Sequence, residues 1–211
     1  MTNDLFADTR LDIDAGVVLW RGRALACEVE LLSAIEAVIA AAPLRRMLTP
    51  GGLAMSVAMT NCGGLGWVSD RAGYRYAPLD PLSGNAWPAL PAAFASLAAS
   101  AAAPAGFPGF APDVCLVNEY TPGTRLSLHQ DRDERDFAQP IVSVSLGMSA
   151  TFLLGGLKRN DRTQRIPLHH GDVLVWGGPA RLRYHGVLPL KGEMHPVLGT
   201  RRVNLTFRCA G

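Results

Sequence analysis

Lysine is nearly missing from this chain. Of its 20 basic residues only Lys158 and Lys191 are lysine, and the rest are arginine. Against 18 acidic residues they leave a net charge of +2, too small by itself to argue for a polyanionic partner. Arginine's planar fork suits bidentate contact with carboxylate or phosphate, but a GC-rich coding sequence gives the same skew, so the count assigns no role. Cysteine is also scarce. The four, Cys27, Cys62, Cys115 and Cys209, never form CxxC, which argues against a disulfide scaffold and a structural zinc site. Each reads as a small side chain in or near the core. Apolar residues make up 48% of the chain, much of it alanine, with mean hydropathy +0.14. No apolar run reaches the roughly 18 residues that a spanning helix needs. Residues 1–8 are acidic and lack the basic-then-apolar pattern of a secretory signal. A cytoplasmic protein with no membrane partner is the expectation.

The 211 residues suffice for one domain with a sizeable core. Residues 1–22 read as an extended arm leading into a short strand at 16–20. From Ala24 to Ala41, Leu25, Val29, Leu32, Ile35 and Ile39 recur at three or four, which predicts a helix ended by Pro43. Residues 45–76 read as short strands with exposed loops. Pro91 suits the first position of a second helix carrying Phe94, Leu97, Ala98 and Ala101 and stopping at Pro104. Short strands then follow at 114–120, 141–146, 151–154, 165–168, 172–176, 184–186 and 203–207. Two helices followed by many strands predict a sheet sandwich or barrel with helices outside. The crossover helices of a doubly wound fold are lacking.

His129 and Asp131 are two apart, so on an extended backbone both side chains leave one face. HxD alone is weak, because five histidines and twelve aspartates in 211 residues give about 0.3 chance occurrences. His185 adds a second imidazole 54 residues after Asp131, within reach if the sheet curls back. Two His and one carboxylate on one face of an octahedral ion leave three positions free, which suits non-haem Fe(II) chemistry with O2. His169 and His170 precede Gly171-Asp172 and read as a turn pair. His195 lies in a loop between Gly192 and Pro196.

The segment from Arg202 to Arg208 alternates strictly. Arg202, Asn204, Thr206 and Arg208 share one face; Val203, Leu205 and Phe207 share the other. Such a strand can simply present a polar face to water. If that face points inward, two arginines there are costly without an anion. A dicarboxylate supplies one carboxylate per arginine, and Asn118 and Tyr120, which also share a face, add hydrogen bonds.

On these residues the chain resembles the AlkB family of iron- and 2-oxoglutarate-dependent nucleic-acid repair dioxygenases. The likeness runs nearly end to end, from Asp4-Leu5-Phe6-Ala7 through Thr49-Pro50-Gly51-Gly52, the segment 55–63, Leu65-Gly66-Trp67, Asn118-x-Tyr120, Ser127 to Asp131, 140–147, 152–160, His170 to Val173, 175–178, 184–186 and 204–208. The resemblance implies a mainly β fold, a double-stranded β-helix (jelly-roll, cupin-like) core with flanking helices. One domain spans 1–211, with 45–90 as a nucleotide-recognition lid and 113–211 as the jelly-roll core. It implies Fe(II) on His129, Asp131 and His185, with 2-oxoglutarate and O2 as cosubstrates. Arg202, helped by Tyr120, takes the distal carboxylate; Arg208 and Asn118 lie near the carboxylate beside the keto group, and Asn204 lines that pocket. Trp67 and His129 become stacking faces for a flipped base, and Asp133 faces its exocyclic nitrogen. Met59, Tyr74, Ser143, Lys158, Arg159 and Trp176 match surrounding pocket or phosphate-contacting positions. Arg71, Arg75 and Arg162 are further phosphate candidates or ordinary surface.

The implied reaction is oxidative dealkylation of bases such as 1-methyladenine and 3-methylcytosine in single- and double-stranded DNA and in RNA, by a monomer. Succinate, CO2 and an aldehyde are released. Departures from the family pattern are Leu53 for an aromatic, Gly64 for a histidine, Glu119 for a basic residue and Arg132 for a lysine; none falls in the metal or cosubstrate set. Other readings are a 2-oxoglutarate hydroxylase acting on proteins or small molecules, and a non-catalytic jelly-roll binding module.

Overall fold

The computed structural model describes residues 9–211; the matching run at 4–7 lies outside the described residues. What was expected as an arm is partly sheet. β1 (Thr9–Asp14) and β2 (Val17–Arg21) form an antiparallel pair turning at Ala15-Gly16. Helix α1 (Glu28–Ala41) follows a short 3-10 turn, and α2 (Ala92–Ala102) ends before Pro104. Pro91 is the cap of α2 rather than its first residue, with an extended ψ of 141°. Between the helices lie β3 (Ala58–Gly63), β4 (Gly66–Asp70) and β5 (Gly73–Ala77). After α2 come β6 (Val114–Tyr120), β7 (Leu126–His129), β8 (Ile141–Gly147), β9 (Ala150–Leu154), β10 (Gln164–Leu168), β11 (Val173–Trp176), β12 (His185–Val187) and β13 (Arg202–Arg208).

Seven strands form one antiparallel sheet in the order β1-β2-β11-β8-β13-β6-β3, and four form another in the order β10-β9-β12-β7. Strand parity divides the core. Val203, Leu205 and Phe207 of β13, Val142 and Val144 of β8, and Val173 and Val175 of β11 pack with Leu31 and Ile35 of α1 and Phe94 and Leu97 of α2. The alternate positions Ile141, Leu174 and Trp176 face Phe152, Leu154, Ile166 and Val187 of the smaller sheet. This two-sheet closure with helices on one outer face is the jelly-roll arrangement. The polar positions of β13 therefore lie between the sheets. All seven residues of β13 are buried, so the solvent-facing reading of its polar face is excluded.

The hairpin β4-β5 pairs with neither sheet; Asn61 of β3 holds the Trp67 main chain through two 3.0 Å bonds, and the hairpin is seated on Trp87. The indole N–H donates to the Ala77 carbonyl at 3.0 Å, and the Arg45 guanidinium lies 5.6 Å from the ring centroid. Gly66 meets the same ring so closely that a Cβ there would lie 2.3 Å from Trp87 Cε2. Gly66→Ala is expected to destabilise the protein by about 1–3 kcal/mol through overpacking, checked by urea denaturation. Arg45 also grips the buried Asp80 through two bonds, one of 2.7 Å, tying the start of this region to its end.

Burial opposes charge on Asp80, but Arg45, the Leu82 amide and Ser83 outweigh it and hold the carboxyl below its usual range. A lowered folded-state value means that the stabilisation is complete above the unfolded carboxylate pKa of about 3.9 and is lost as pH falls through the folded value. Asp80→Asn is thus expected to lower the urea midpoint at pH 7, with the gap to wild type closing below about pH 4.

Candidate metal and cosubstrate site

His129 is the last residue of β7 and stands directly opposite His185, the first of β12. Their rings lie 4.4 Å apart, centroid to centroid. Asp131 is beyond the strand end, so the parity expected on a continuous strand does not bring it there. It is placed by its neighbours. Gln130 donates to the Leu182 carbonyl at 2.5 Å, and Arg181 Nη1 donates to the Asp131 carbonyl at 2.8 Å. The Asp131 carboxylate then sits 3.5 Å from His129 Nε2 and 3.7 Å from His185 Nε2. One ligand atom from each of the three falls within 4.8 Å of the others. Each imidazole turns Nδ1 to a main-chain carbonyl, His129 to Ser127 at 2.9 Å and His185 to Arg183 at 3.0 Å. With Nδ1 protonated, both Nε2 atoms face the carboxylate with free lone pairs, the arrangement metal-ligating histidines need.

Beside this triad the inner face of β13 carries two buried guanidinium groups. Arg202 stands opposite Tyr120, and Asn204 opposite Asn118. The Arg202 guanidinium lies 4.8 Å over the Tyr120 ring and donates once, through Nη2 to Ser145 Oγ at 2.9 Å. Among the described residues the acceptor Asn118 Oδ1 has no partner, nor do the donors Arg202 Nε, Arg202 Nη1 and Arg208 Nη1. Buried donors of this kind are costly unless an anion meets them. Three unpartnered N–H-bearing atoms of two arginines beside a two-His, one-carboxylate cluster fit a chelating dicarboxylate. Arg208 gives its remaining donors to Asp131 Oδ2, at 2.6 and 2.9 Å. Asn204 Nδ2 donates to Ser143 Oγ and to the Val144 carbonyl, both at 2.8 Å, and its own oxygen accepts from Thr206.

A cavity of about 660 Å³ joins these groups. Its lining includes His129, Asp131, His185, Asn118, Tyr120, Arg202, Asn204, Arg208, Met59, Trp67, Tyr74, Asp133, Ser143, Arg159 and Trp176; Lys158, in the exposed run 157–162, is not part of it.

A model of the 2OG-Fe(II) oxygenase superfamily matches residues 23–208. The alpha-ketoglutarate-dependent dioxygenase AlkB of Escherichia coli (strain K12) is 54% identical, covering 99% of this chain and 98% of the relative. The AlkB homolog of Caulobacter vibrioides (strain NA1000 / CB15N) is 43% identical over 95% of this chain and 90% of its own length. The chain belongs to the AlkB family of 2-oxoglutarate- and iron(II)-dependent dioxygenases. A solved structure, that of OsALKBH1, superposes with a TM-score of 0.83 at 28% identity, covering 95% of this chain and 99% of that one.

The electrostatics suit iron(II), the ion of the family. Burial, reinforced by the adjacent His129, pulls the His185 imidazole down to about 4, so it stays neutral and able to ligate. Burial alone would raise the Asp131 carboxyl, but Arg208 and the two histidines outweigh it and hold it well below the usual carboxylate range. Burial likewise pushes the Tyr120 phenol up, against the pull of Arg202, so it remains a neutral donor and acceptor.

Sequence reading missed four residues that hold this AlkB-family site. Glu134 and Arg181 are buried, with Arg181 Nη2 on Glu134 Oε2 at 3.0 Å and Arg208 Nε 3.3 Å from Glu134 Oε1. Tyr76 donates to Glu134 at 2.6 Å, and Ser145 accepts from Arg202. Ser145 was readable from its parity with Ser143 on β8. Arg181 carried no local signal. Of the phosphate candidates, Arg75 is engaged by Asp70 at 2.8 and 2.9 Å, while Arg159 lies 5.5 Å over the Tyr184 ring at the cavity wall. Among the departures, Leu53 is 74% exposed at the cavity rim, held in a turn by Thr49, whose N–H donates to the Leu53 carbonyl and whose Oγ1 accepts from the Leu53 N–H. Glu119 pairs with Arg201 at 3.2 Å, and Gly64 donates its N–H to the Asp113 carbonyl.

Proposed function

We propose that the protein oxidatively removes alkyl groups from ring nitrogens of nucleobases, 1-methyladenine and 3-methylcytosine among them, in single- and double-stranded DNA and in RNA. The observation that carries this reading is the wall of the cavity facing the metal triad. Trp67 stacks on Tyr74 with centroids 5.7 Å apart and planes at 14°, and the Asp133 carboxylate lies at the edge of the indole. A flat aromatic surface with a carboxylate at its rim suits a planar cationic base, whose stacking is worth roughly 1–3 kcal/mol. AlkB of E. coli and nucleic acid dioxygenase ALKBH1 of Homo sapiens, the latter 35% identical over 58% of this chain, support the same direction.

In this reading His129, Asp131 and His185 hold iron. Arg202 with Tyr120 takes the distal carboxylate of 2-oxoglutarate, and Arg208 with Asn118 attends the carboxylate beside the keto group; Asn204 completes that wall. When bound, iron(II) with 2-oxoglutarate and O2 supplies the oxidising power to hydroxylate the N-alkyl carbon, releasing succinate and CO2, after which the hydroxyalkyl base gives up an aldehyde. The chain's own part is to bind, orient and exclude water. Trp67 and His129 sandwich the flipped base, Asp133 stabilises its positive charge through the exocyclic nitrogen, and Met59, Tyr74, Ser143 and Trp176 shape the pocket. Arg159 and Lys158 contact phosphate. Damage that blocks pairing lowers the cost of flipping. Segment 45–90 acts as a nucleotide-recognition lid on the 113–211 jelly-roll core, within a single domain. No helix among the described residues is long and apolar enough to cross a membrane; we infer a cytoplasmic monomer.

The test is anaerobic loading with Fe(II) and 2-oxoglutarate, followed by O2 and a panel of N1- and N3-alkylated oligonucleotides. Mass spectrometry should show each base losing its alkyl group, with stoichiometric formaldehyde from methyl lesions. Succinate release triggered by peptides but not by methylated oligonucleotides would instead support a protein hydroxylase.

A further inference from the structure

Trp67 of β4 and Tyr76 of β5 are direct register partners, so their side chains leave the same face of the hairpin. They donate to consecutive residues of the loop that supplies Asp131. Trp67 Nε1 reaches Asp133 Oδ2 at 2.9 Å, and Tyr76 Oη reaches Glu134 Oε1 at 2.6 Å. That loop is rigidly stapled. All three nitrogens of the buried Arg181 are committed to it, Nε to the Gln139 carbonyl, Nη1 to the Asp131 carbonyl and Nη2 to Glu134 Oε2. The hairpin's main chain is held separately: Asn61 of β3 exchanges two 3.0 Å bonds with the Trp67 backbone, Ser69 donates to the Leu48 carbonyl at 2.6 Å, and the far edge sits on Trp87 at Gly66 and Ala77. The stacking surface is thus referenced to the same short loop that holds a metal ligand.

We propose that Asp133 and Glu134 are positioning residues that fix the plane of Trp67 before a base arrives, so that Asp133 has two separable roles. Its Oδ2 anchors the indole, and its charge serves the base. Tyr76, bound to Glu134, keys the hairpin without touching the base. The proposal rests on the base-stacking reading above and assigns the plane of the indole to the metal loop, while Asn61 of β3 places the Trp67 main chain.

The two roles are separated by lesion charge. The full chain, loaded with Fe(II) and 2-oxoglutarate under argon so that no turnover occurs, is titrated with labelled oligonucleotides carrying cationic 1-methyladenine or neutral 1-methylguanine, and binding is read by fluorescence anisotropy. Asp133→Asn retains an acceptor for the indole. It should leave affinity for the neutral lesion within about twofold and weaken the cationic one by about 10- to 100-fold, the worth of a charge-assisted bond. Asp133→Ala should in addition weaken the neutral lesion by about 3- to 10-fold, the worth of the lost anchoring bond. Tyr76→Phe should weaken both lesions equally, by about threefold to tenfold, and should add nothing in a Trp67→Ala background. Equal behaviour of Asp133→Asn and Asp133→Ala on the neutral lesion, or full additivity of Tyr76→Phe with Trp67→Ala, would overturn the proposal. Unchanged affinities in Trp67→Ala alone would overturn the base-stacking reading beneath it, a distinguishable result.

Discussion

Asp131→Asn is expected to abolish iron binding and to weaken the metal-free protein at once, whereas His185→Gln should abolish iron binding alone. The two ligands differ in what else leans on them. Asp131 is the main partner of Arg208, at 2.6 and 2.9 Å, with side-chain exposures of 9% and 7%. Breaking a buried ion pair from one side typically costs about 3–5 kcal/mol, because the surviving charge is left uncompensated. The asparagine oxygen still accepts a hydrogen bond and Glu134 remains close, so about 3 kcal/mol is expected. His185 has no such dependent. Its Nδ1 meets a main-chain carbonyl, and glutamine retains polarity at that place. Iron affinity should fall by more than about 100-fold in both variants, beyond the range for residues that merely orient a ligand. Anaerobic calorimetry reads the first effect, and urea denaturation of the metal-free chains reads the second. An Asp131→Asn protein as stable as wild type would show that the Arg208 pair contributes nothing to the fold.

Arg202→Met is expected to act with opposite signs on binding and on stability. Arg202 is 1% exposed, burial lowers its pKa, and two of its three nitrogens lack partners among the described residues. Replacing such a charge with an apolar side chain of similar length is often neutral or stabilising by about 1–4 kcal/mol. A gain of about 1–2 kcal/mol in the urea-derived stability is the expected result. In the proposed clamp the same change removes the group assigned to the distal carboxylate, so 2-oxoglutarate should bind about 30- to 1000-fold more weakly, the roughly 2–4 kcal/mol typical of a buried charged contact. On this proposal the site stores an instability that the cosubstrate relieves. A variant that loses stability along with affinity would place the arginine's role in packing instead.

Much of this was legible in the chain. Strict alternation along 202–208 separated Val203, Leu205 and Phe207 from the polar set, and both sides of β13 are buried as that pattern requires once helices cover one face. Strands at 114–120 and 141–146 were readable because β-branched and apolar residues are bounded by Asp, Pro and Gly. The strand Leu126–His129 was not, because Ser127 and His129 are polar and the segment is only four residues long. The strand at 16–20 was readable as β2, but β1 was not, for a related reason: the exposed Thr9–Asp14 carries charge at alternate positions and takes its strand conformation from pairing with buried β2. The structure brings His129, Asp131 and His185 together, but local parity is not what places Asp131. Its true support is Arg181, fifty residues away in sequence. Long-range side-chain bonds of this kind leave no periodic trace. Glu134 shows the same limit, since an acidic residue beside Asp133 reads as a solvated loop until its burial is seen.

The position of β13 bears on how the molecule assembles. It is last in chain order among the strands, yet it lies between β8 and β6. Four strands on one side and two on the other are joined only through it. Until those seven residues emerge and dock, the large sheet exists as two fragments, each with an unpaired edge, on which Val142, Val144 and Leu146 of β8 and Cys115 and Val117 of β6 are apolar. Pairings this distant in sequence close slowly, and open edges invite other chains. A chain interrupted before Arg202 would therefore be expected to aggregate rather than to persist as a soluble, merely inactive enzyme. The strand that carries the arginines is also the keystone whose arrival turns two sticky half-sheets into one closed fold.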